Sequence, residues 1–243
     1  MPSKAALFIP CLTAELEPET GLHMAELVER AGFEVQVPEG QTCCGQPWFN
    51  TGYRKETLAF ARRFLKIFDM AECDCIVSPS GSCVSMVRKH YKELDLQPAD
   101  RQRLERVGPR LLEFTEFVAL HGSGLRFKPG GSRKVYYHPS CHLTRELGVK
   151  AQPLDLLNRV PRLTVVTDTE PLCCGFGGTF SVKMPELSAA MTARKIEQVQ
   201  AECNPDLWVV PDVSCLLQIR GWMRAHSVET SVVHLVDFLH AHL

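Results

Sequence analysis

One cysteine pattern occurs twice in this chain, and it constrains the fold more than any other feature. Cys11, Cys43 and Cys44 recur 130 residues later as Cys141, Cys173 and Cys174, and Cys83 recurs 132 residues later as Cys215. The neighbours repeat as well. Cys43-Cys44-Gly45 answers Cys173-Cys174-Gly175, and Ser82-Cys83-Val84 answers Ser214-Cys215-Leu216. A chain that keeps this register is expected to be two pseudo-symmetric halves, each able to gather its own four sulfurs. Pro129-Gly130-Gly131 is the best linker signal, so the halves are set at residues 1–128 and 129–243.

Strand and helix signals alternate in both halves. In the first, strands are expected over residues 4–9, 33–37 and 75–77, and helices over 18–31, 54–71 and from Cys83 to about Leu94. A polar helix pair is expected over 99–121, broken by Gly122-Ser123-Gly124. The plan then restarts. Strands are expected at 134–137, 163–166 and 207–210, with helices over about 151–159, after Cys215 and over 233–241. Between them, Ala189, Ala193, Ile196, Val199 and Cys203 are spaced to share one helical face. The fold class is α/β, with a small parallel sheet flanked by helices in each half. Right-handed crossovers bring the loops after the strands to one sheet edge, where such folds bind ligands. All eight repeated cysteines lie just after expected strands.

Composition narrows the chemistry. There are 11 cysteines, and no secretory signal pattern is expected at the start, which reads as a first strand; both point to a reducing cytoplasm. There, clustered cysteines bind metals or do redox work more often than they form structural disulfides. The formal net charge of −1 argues against a nucleic-acid surface, and no apolar run reaches the ~18 residues of a membrane span.

The adjacent cysteines carry the most information. Structural zinc sites usually space their cysteines by two or more residues, whereas a cluster of several irons accepts neighbouring thiolates on different metals. Soft thiolates suit iron–sulfur clusters. Gly45 and Gly175 let the backbone turn sharply after each pair. The quartets Cys11, Cys43, Cys44, Cys83 and Cys141, Cys173, Cys174, Cys215 are therefore the candidate cofactor ligands, one iron–sulfur cluster per half, with zinc in one half as the alternative. Eight cysteines in register weigh against a purely apolar role. The other three read differently: Cys73, Cys75 and Cys203 are expected in the core. His138 and His142 flank Cys141 without counterparts in the first half, and both are expected to be ordinary hydrogen-bonded histidines. No nucleotide-binding glycine fingerprint is present.

At these residues the chain resembles the CCG cysteine-rich family of iron–sulfur proteins, and within it the lactate utilisation protein A group. Cys43-Cys44-Gly45-Gln46-Pro47, Ser78-Pro79-Ser80-Gly81-Ser82-Cys83, His138-Pro139-Ser140-Cys141, Cys173-Cys174-Gly175-Phe176-Gly177-Gly178 and Asp212-Val213-Ser214-Cys215 carry the likeness, which covers nearly the whole chain. It implies an electron-transfer subunit of a cytoplasmic oxidoreductase that oxidises L-lactate to pyruvate, holding 4Fe-4S clusters. It also implies two partners, a ferredoxin-like iron–sulfur subunit and a third lactate-utilisation protein. The B subunit of heterodisulfide reductase, in the wider family, ends its motif in Cys-x-x-Cys. Here Ser80 and Asp212 hold the first of those positions, so each pocket has four cysteines and an oxygen side chain that can serve as an extra ligand. Two other functions fit the pattern: a catalytic thiol–disulfide reductase subunit, and a zinc-stabilised scaffold.

Overall fold

The apolar runs before Pro10, Pro79, Pro139 and Pro211 build the two central parallel strands of each sheet, whose last residues are buried. The computed structural model describes residues 2–168 and 170–243 and divides into two units after Leu125.

In the first unit, Ser3–Leu7 (β1) leads through Cys11–Leu16 (α1) and Pro18–Arg30 (α2) to Phe33–Gln36 (β2). Gln46–Asn50 (α3) and Arg54–Met70 (α4) then return the chain to Cys75–Ser78 (β3). Gly81–Arg88 (α5) and Pro98–Val107 (α6) connect to Leu111–Glu113 (β4), and Phe114–His121 (α7) completes the unit. All pairings are parallel, in the order β2-β1-β3-β4. The first crossover runs one way from β1 and the next two run the other way. The carboxyl ends of β1 and β3 therefore form a switch point, where the loops part and leave a crevice.

The second unit repeats this plan through its first three strands and joins the third to the fourth by one helix where the first unit has two. Arg133–Tyr137 (β5), Ala151–Asn158 (α8) and Leu163–Val166 (β6) are followed by Thr179–Lys183 (α9) and Pro185–Glu202 (α10). Leu207–Val210 (β7), Val213–Ala225 (α11), Ser231–His234 (β8) and Leu235–His240 (α12) end the chain. The sheet order is β6-β5-β7-β8. Ser3 pairs with Phe33 in one sheet and Arg133 with Leu163 in the other; Ala5 pairs with Cys75 and Val135 with Leu207. The 130- and 132-residue offsets of the cysteines are thus the offsets of the strands themselves.

The structure departs from the sequence expectation at each unit's fourth strand. Residues 99–121 hold α6 and α7 with β4 between them, and the start of the expected terminal helix belongs to β8. Leu111 and Val232 become strand residues by burial beside Ile76 and Trp208 of the neighbouring strand. That is a long-range effect which local propensity does not contain. The helix from Cys83 also stops early, at Arg88.

Candidate metal centre

Every repeated cysteine sits where a strand hands over to a helix. Cys11 opens α1, Cys43 and Cys44 precede α3, and Cys83 lies in the first turn of α5. Cys173 and Cys174 precede Gly175, and Cys215 lies in the first turn of α11. The four sulfurs of each unit form a connected set. Cys44 donates to Cys83 Sγ at 3.3 Å, and Cys174 donates to Cys215 Sγ at 3.1 Å. Cys11 is hydrogen-bonded to Cys43, and Cys141 to Cys173. Two thiolates on one tetrahedral ion lie about 3.8 Å apart when each metal–sulfur bond is about 2.3 Å. The observed pairs are close to that spacing, and a cluster of several irons, which takes each thiolate on a different metal, needs them to open further; four convergent soft thiolates are the donor set such a centre uses.

The backbone prepares the same place for negative charge. Gly45 N–H points at Cys43 Sγ at 3.3 Å, and Gly175 N–H at Cys173 Sγ at 3.4 Å. The Cys11 and Cys44 thiols, with this N–H, push Cys43 down to about 3; Cys141, Cys174 and the Gly175 N–H push Cys173 down to about 2. The donating partners shift the other way. Cys11 and Cys44 are held above the usual thiol range, the hydrogen bond to Cys43 being the largest cause, and Cys141 and Cys174 likewise by Cys173. Each pocket therefore stabilises one thiolate among thiols, and a metal entering it displaces the remaining protons.

Gly45 and Gly175 both take left-handed backbone, at φ +85° and +89°. The carbonyl before each is satisfied in a different way. Tyr91 donates its hydroxyl to Cys44 O at 2.9 Å, whereas Thr192 donates to Cys174 O at 2.7 Å. The second unit adds Ser188 to Gly175 O at 2.8 Å, and Gln218 to both the Ser188 and Thr192 hydroxyls.

Ser80 and Asp212 act as helix caps. Ser80 Oγ accepts from Cys83 N at 3.4 Å, and Asp212 Oδ1 accepts from Ser214 N at 3.1 Å and its hydroxyl at 2.6 Å. Both hold the turn that presents Cys83 or Cys215. Asp212→Ala is expected to lower stability by about 1 kcal/mol, as loss of an N-cap does, and Asp212→Asn to keep most of it. Urea unfolding measures this; equal losses for both variants would rule out the capping role.

Cys73, Cys75 and Cys203 lie away from the pockets, just before or at the start of a strand and not after one; Cys75 is in the core as expected, whereas Cys73 and Cys203 are only half-buried. Cys75 opens β3 and is pushed up to about 12 by burial. Cys203 donates to Val199 O at 3.2 Å. Arg110 lies 3.8 Å from Cys73 Sγ.

The two histidines divide. His142 Nδ1 is 3.7 Å from Cys141 Sγ, and its Nε2 is 3.9 Å from Glu146. His138 is not the hydrogen-bonded histidine that the sequence suggests. It is 1% exposed, and neither ring nitrogen has a hydrogen-bond partner among the described residues. A ring nitrogen and the sulfurs of Cys174 and Cys215 all lie within 4.8 Å of one another.

Sequence reasoning also missed a buried polar triad. Lys195 Nζ donates to Asp168 Oδ2 at 2.8 Å and to Tyr136 OH at 2.8 Å, and Tyr136 donates to Asp168 at 2.7 Å. The Lys195 and Asp168 side chains are 1% and 3% exposed. The buried face of α10 is Ser188, Thr192, Lys195, Ile196 and Val199, with Ala189 and Ala193 only half-buried. A lysine in register with Ile196 and Val199 was the available signal.

Two parallel α/β units, each with a quartet of sulfurs at the carboxyl edge of its sheet, define a duplicated thiolate-pocket protein. The CCG cysteine-rich domain family matches residues 5–88 and again residues 135–220. Lactate utilization protein A of Exiguobacterium sp. is 39% identical over 243 residues, covering 96% of each chain. Lactate utilization protein A 2 of Bacillus cereus is 37% identical over 97% of each chain, and the Halalkalibacterium halodurans protein is 38% identical over 97% of this chain and 96% of its own. The chain belongs to the CCG cysteine-rich family, of which it carries two domains, and to its lactate utilization protein A group. Among solved structures, Picrophilus torridus aspartate racemase aligns over 98% of this chain and 92% of its own at 10% identity and a TM-score of 0.43, too weak a likeness to bear on fold or activity.

Proposed function

We propose that each unit holds a four-iron cluster on its four cysteines, and that the chain is the electron-carrying subunit of a lactate-oxidising system. The observation that carries this reading is the convergence of both quartets at their sheet edges. The names of the relatives supply the lactate connection. Among the described residues no helix is long and apolar enough to cross a membrane. The reading places the chain in the cytoplasm, oxidising L-lactate to pyruvate with a ferredoxin-like subunit and a third protein.

When bound, such clusters take up and release single electrons. The protein's own part is to hold the sulfurs in place, to direct N–H groups at them, and to exclude water. Cys44 and Cys174 are 1% and 3% exposed, so the inner side of each pocket is dry. Cys43 and Cys173 are half-buried and leave the outer side open to a partner or a substrate.

Cys44→Ser is expected to abolish cluster absorbance and iron from the first unit while sparing the second, and Cys174→Ser to do the reverse, so each variant keeps about half the iron. Cys73→Ala is expected to keep it all. Anaerobic iron quantitation with visible absorbance checks both. Full iron content in both serine variants would overturn the ligand assignment.

A further inference from the structure

The two pockets differ underneath their sulfurs, and the difference is systematic. Phe8 N–H donates to Val77 O and His138 N–H to Val209 O, both at 2.9 Å, so His138 occupies the position of Phe8. A Cβ on Gly45 would meet Thr57 O and one on Gly175 would meet Ser188 O, which aligns Ser188 with Thr57. Seven residues further along their helices, Lys195 then stands where Phe64 does. In the first unit Phe8 and Phe64 pack edge to face at 4.8 Å between ring centroids. In the second unit an imidazole and an ammonium replace that apolar pair.

The ammonium is already engaged. Lys195 is bound by Asp168 and Tyr136. The imidazole is not. A buried imidazole with no hydrogen bond to the described residues leaves its ring nitrogens desolvated at a cost, and such a group persists where it has another partner. Among the described residues, the side chains close enough to take a metal together with it are Cys174 and Cys215.

We propose that His138 supplies a nitrogen ligand to the metal centre of the second pocket, a fifth donor beside the four cysteines that binds an iron next to Cys174 and Cys215, so that the two centres have different ligand sets. This rests on the reading that the pocket holds an iron–sulfur cluster. Thiolate and imidazole are both ligands that iron accepts. In the first unit, Phe8 offers no donor, and that centre is held by thiolates alone. With ligand sets of their own, the two centres have different reduction potentials.

The test uses Cys44→Ser protein, which retains only the second centre, prepared with natural-abundance and with 15N-labelled histidine. Iron is quantified first. Pulsed EPR of the paramagnetic oxidation state then reads nitrogen coupled to the cluster. The expected result is the strong coupling of a directly bound imidazole, converted to the 15N pattern by labelling and lost in Cys44→Ser/His138→Phe, which installs the first unit's residue. Iron without that coupling, with only the weak coupling of a hydrogen-bonded imidazole, or with coupling that persists in His138→Phe overturns the ligand role alone. Absence of iron overturns the reading of the pocket as well. Since the unsubstituted histidine is read directly, the outcome does not depend on His138→Phe folding.

Discussion

Gly175→Ala is expected to cost about 2–5 kcal/mol and to empty the second pocket of metal. Two effects add. A non-glycine residue at φ +89° pays about 1–2 kcal/mol for left-handed backbone. The new methyl group would also lie 2.5 Å from Ser188 O, 3.1 Å from Thr192 Oγ1 and 3.2 Å from Met191 Cβ. Ser188 O is backbone within α10 and cannot swing aside, so relief requires the helix or the Cys173-Cys174 loop to move, at about 1–3 kcal/mol. The loop is the softer of the two, and it carries two of the four sulfurs. Gly45→Ala is the internal comparison. Its φ is +85°, but the nearest contact is Phe60 Cβ at 3.2 Å, so its cost is set mainly by the backbone, about 1–2 kcal/mol. Urea unfolding and iron content of both variants measure the ordering. A Gly175→Ala protein within about 0.5 kcal/mol of the parent would show that the close approach is not real.

Asp168→Ala should destabilise the protein by about 3–5 kcal/mol, the range for removing one partner of a buried ion pair. It leaves Lys195 almost fully buried, with the Tyr136 hydroxyl as its one remaining partner among those described. The double variant Asp168→Ala/Lys195→Met removes both charges and is expected to recover most of the loss, since an apolar replacement of a buried pair is often neutral. Phe64 at the equivalent place already shows that this position accepts an apolar side chain. Equal stability of the single and double variants would mean that the ammonium reaches water without Asp168.

Much of this architecture is legible in the sequence, for identifiable reasons. The first three strands of each unit lie in apolar or alternating runs bounded by proline, glycine or the cysteine loops, and the repeat places them twice. The adjacent cysteines followed by glycine mark a sharp turn after a strand, and both glycines have the positive φ this requires. The fourth strands are hidden because three or four residues beside a helix carry too little periodicity. Spacing also cannot say which sulfurs approach. That Cys44 meets Cys83 and Cys43 meets Cys11 depends on which side of the loop each faces. His138 and Lys195 are the instructive cases. A lone histidine before Pro139 reads as ordinary, and only its burial without a partner among the described residues distinguishes it. Lys195, Asp168 and Tyr136 are drawn from β5, the loop after β6, and α10, so no local pattern joins them.

The central claim is that each unit's sulfurs grip an iron–sulfur cluster. Iron, acid-labile sulfide and zinc quantified per chain in anaerobically purified protein test it most directly. Two four-iron centres predict about eight iron and eight sulfide per chain, with zinc absent. Zinc without iron, or no bound metal in protein that is folded, would contradict it.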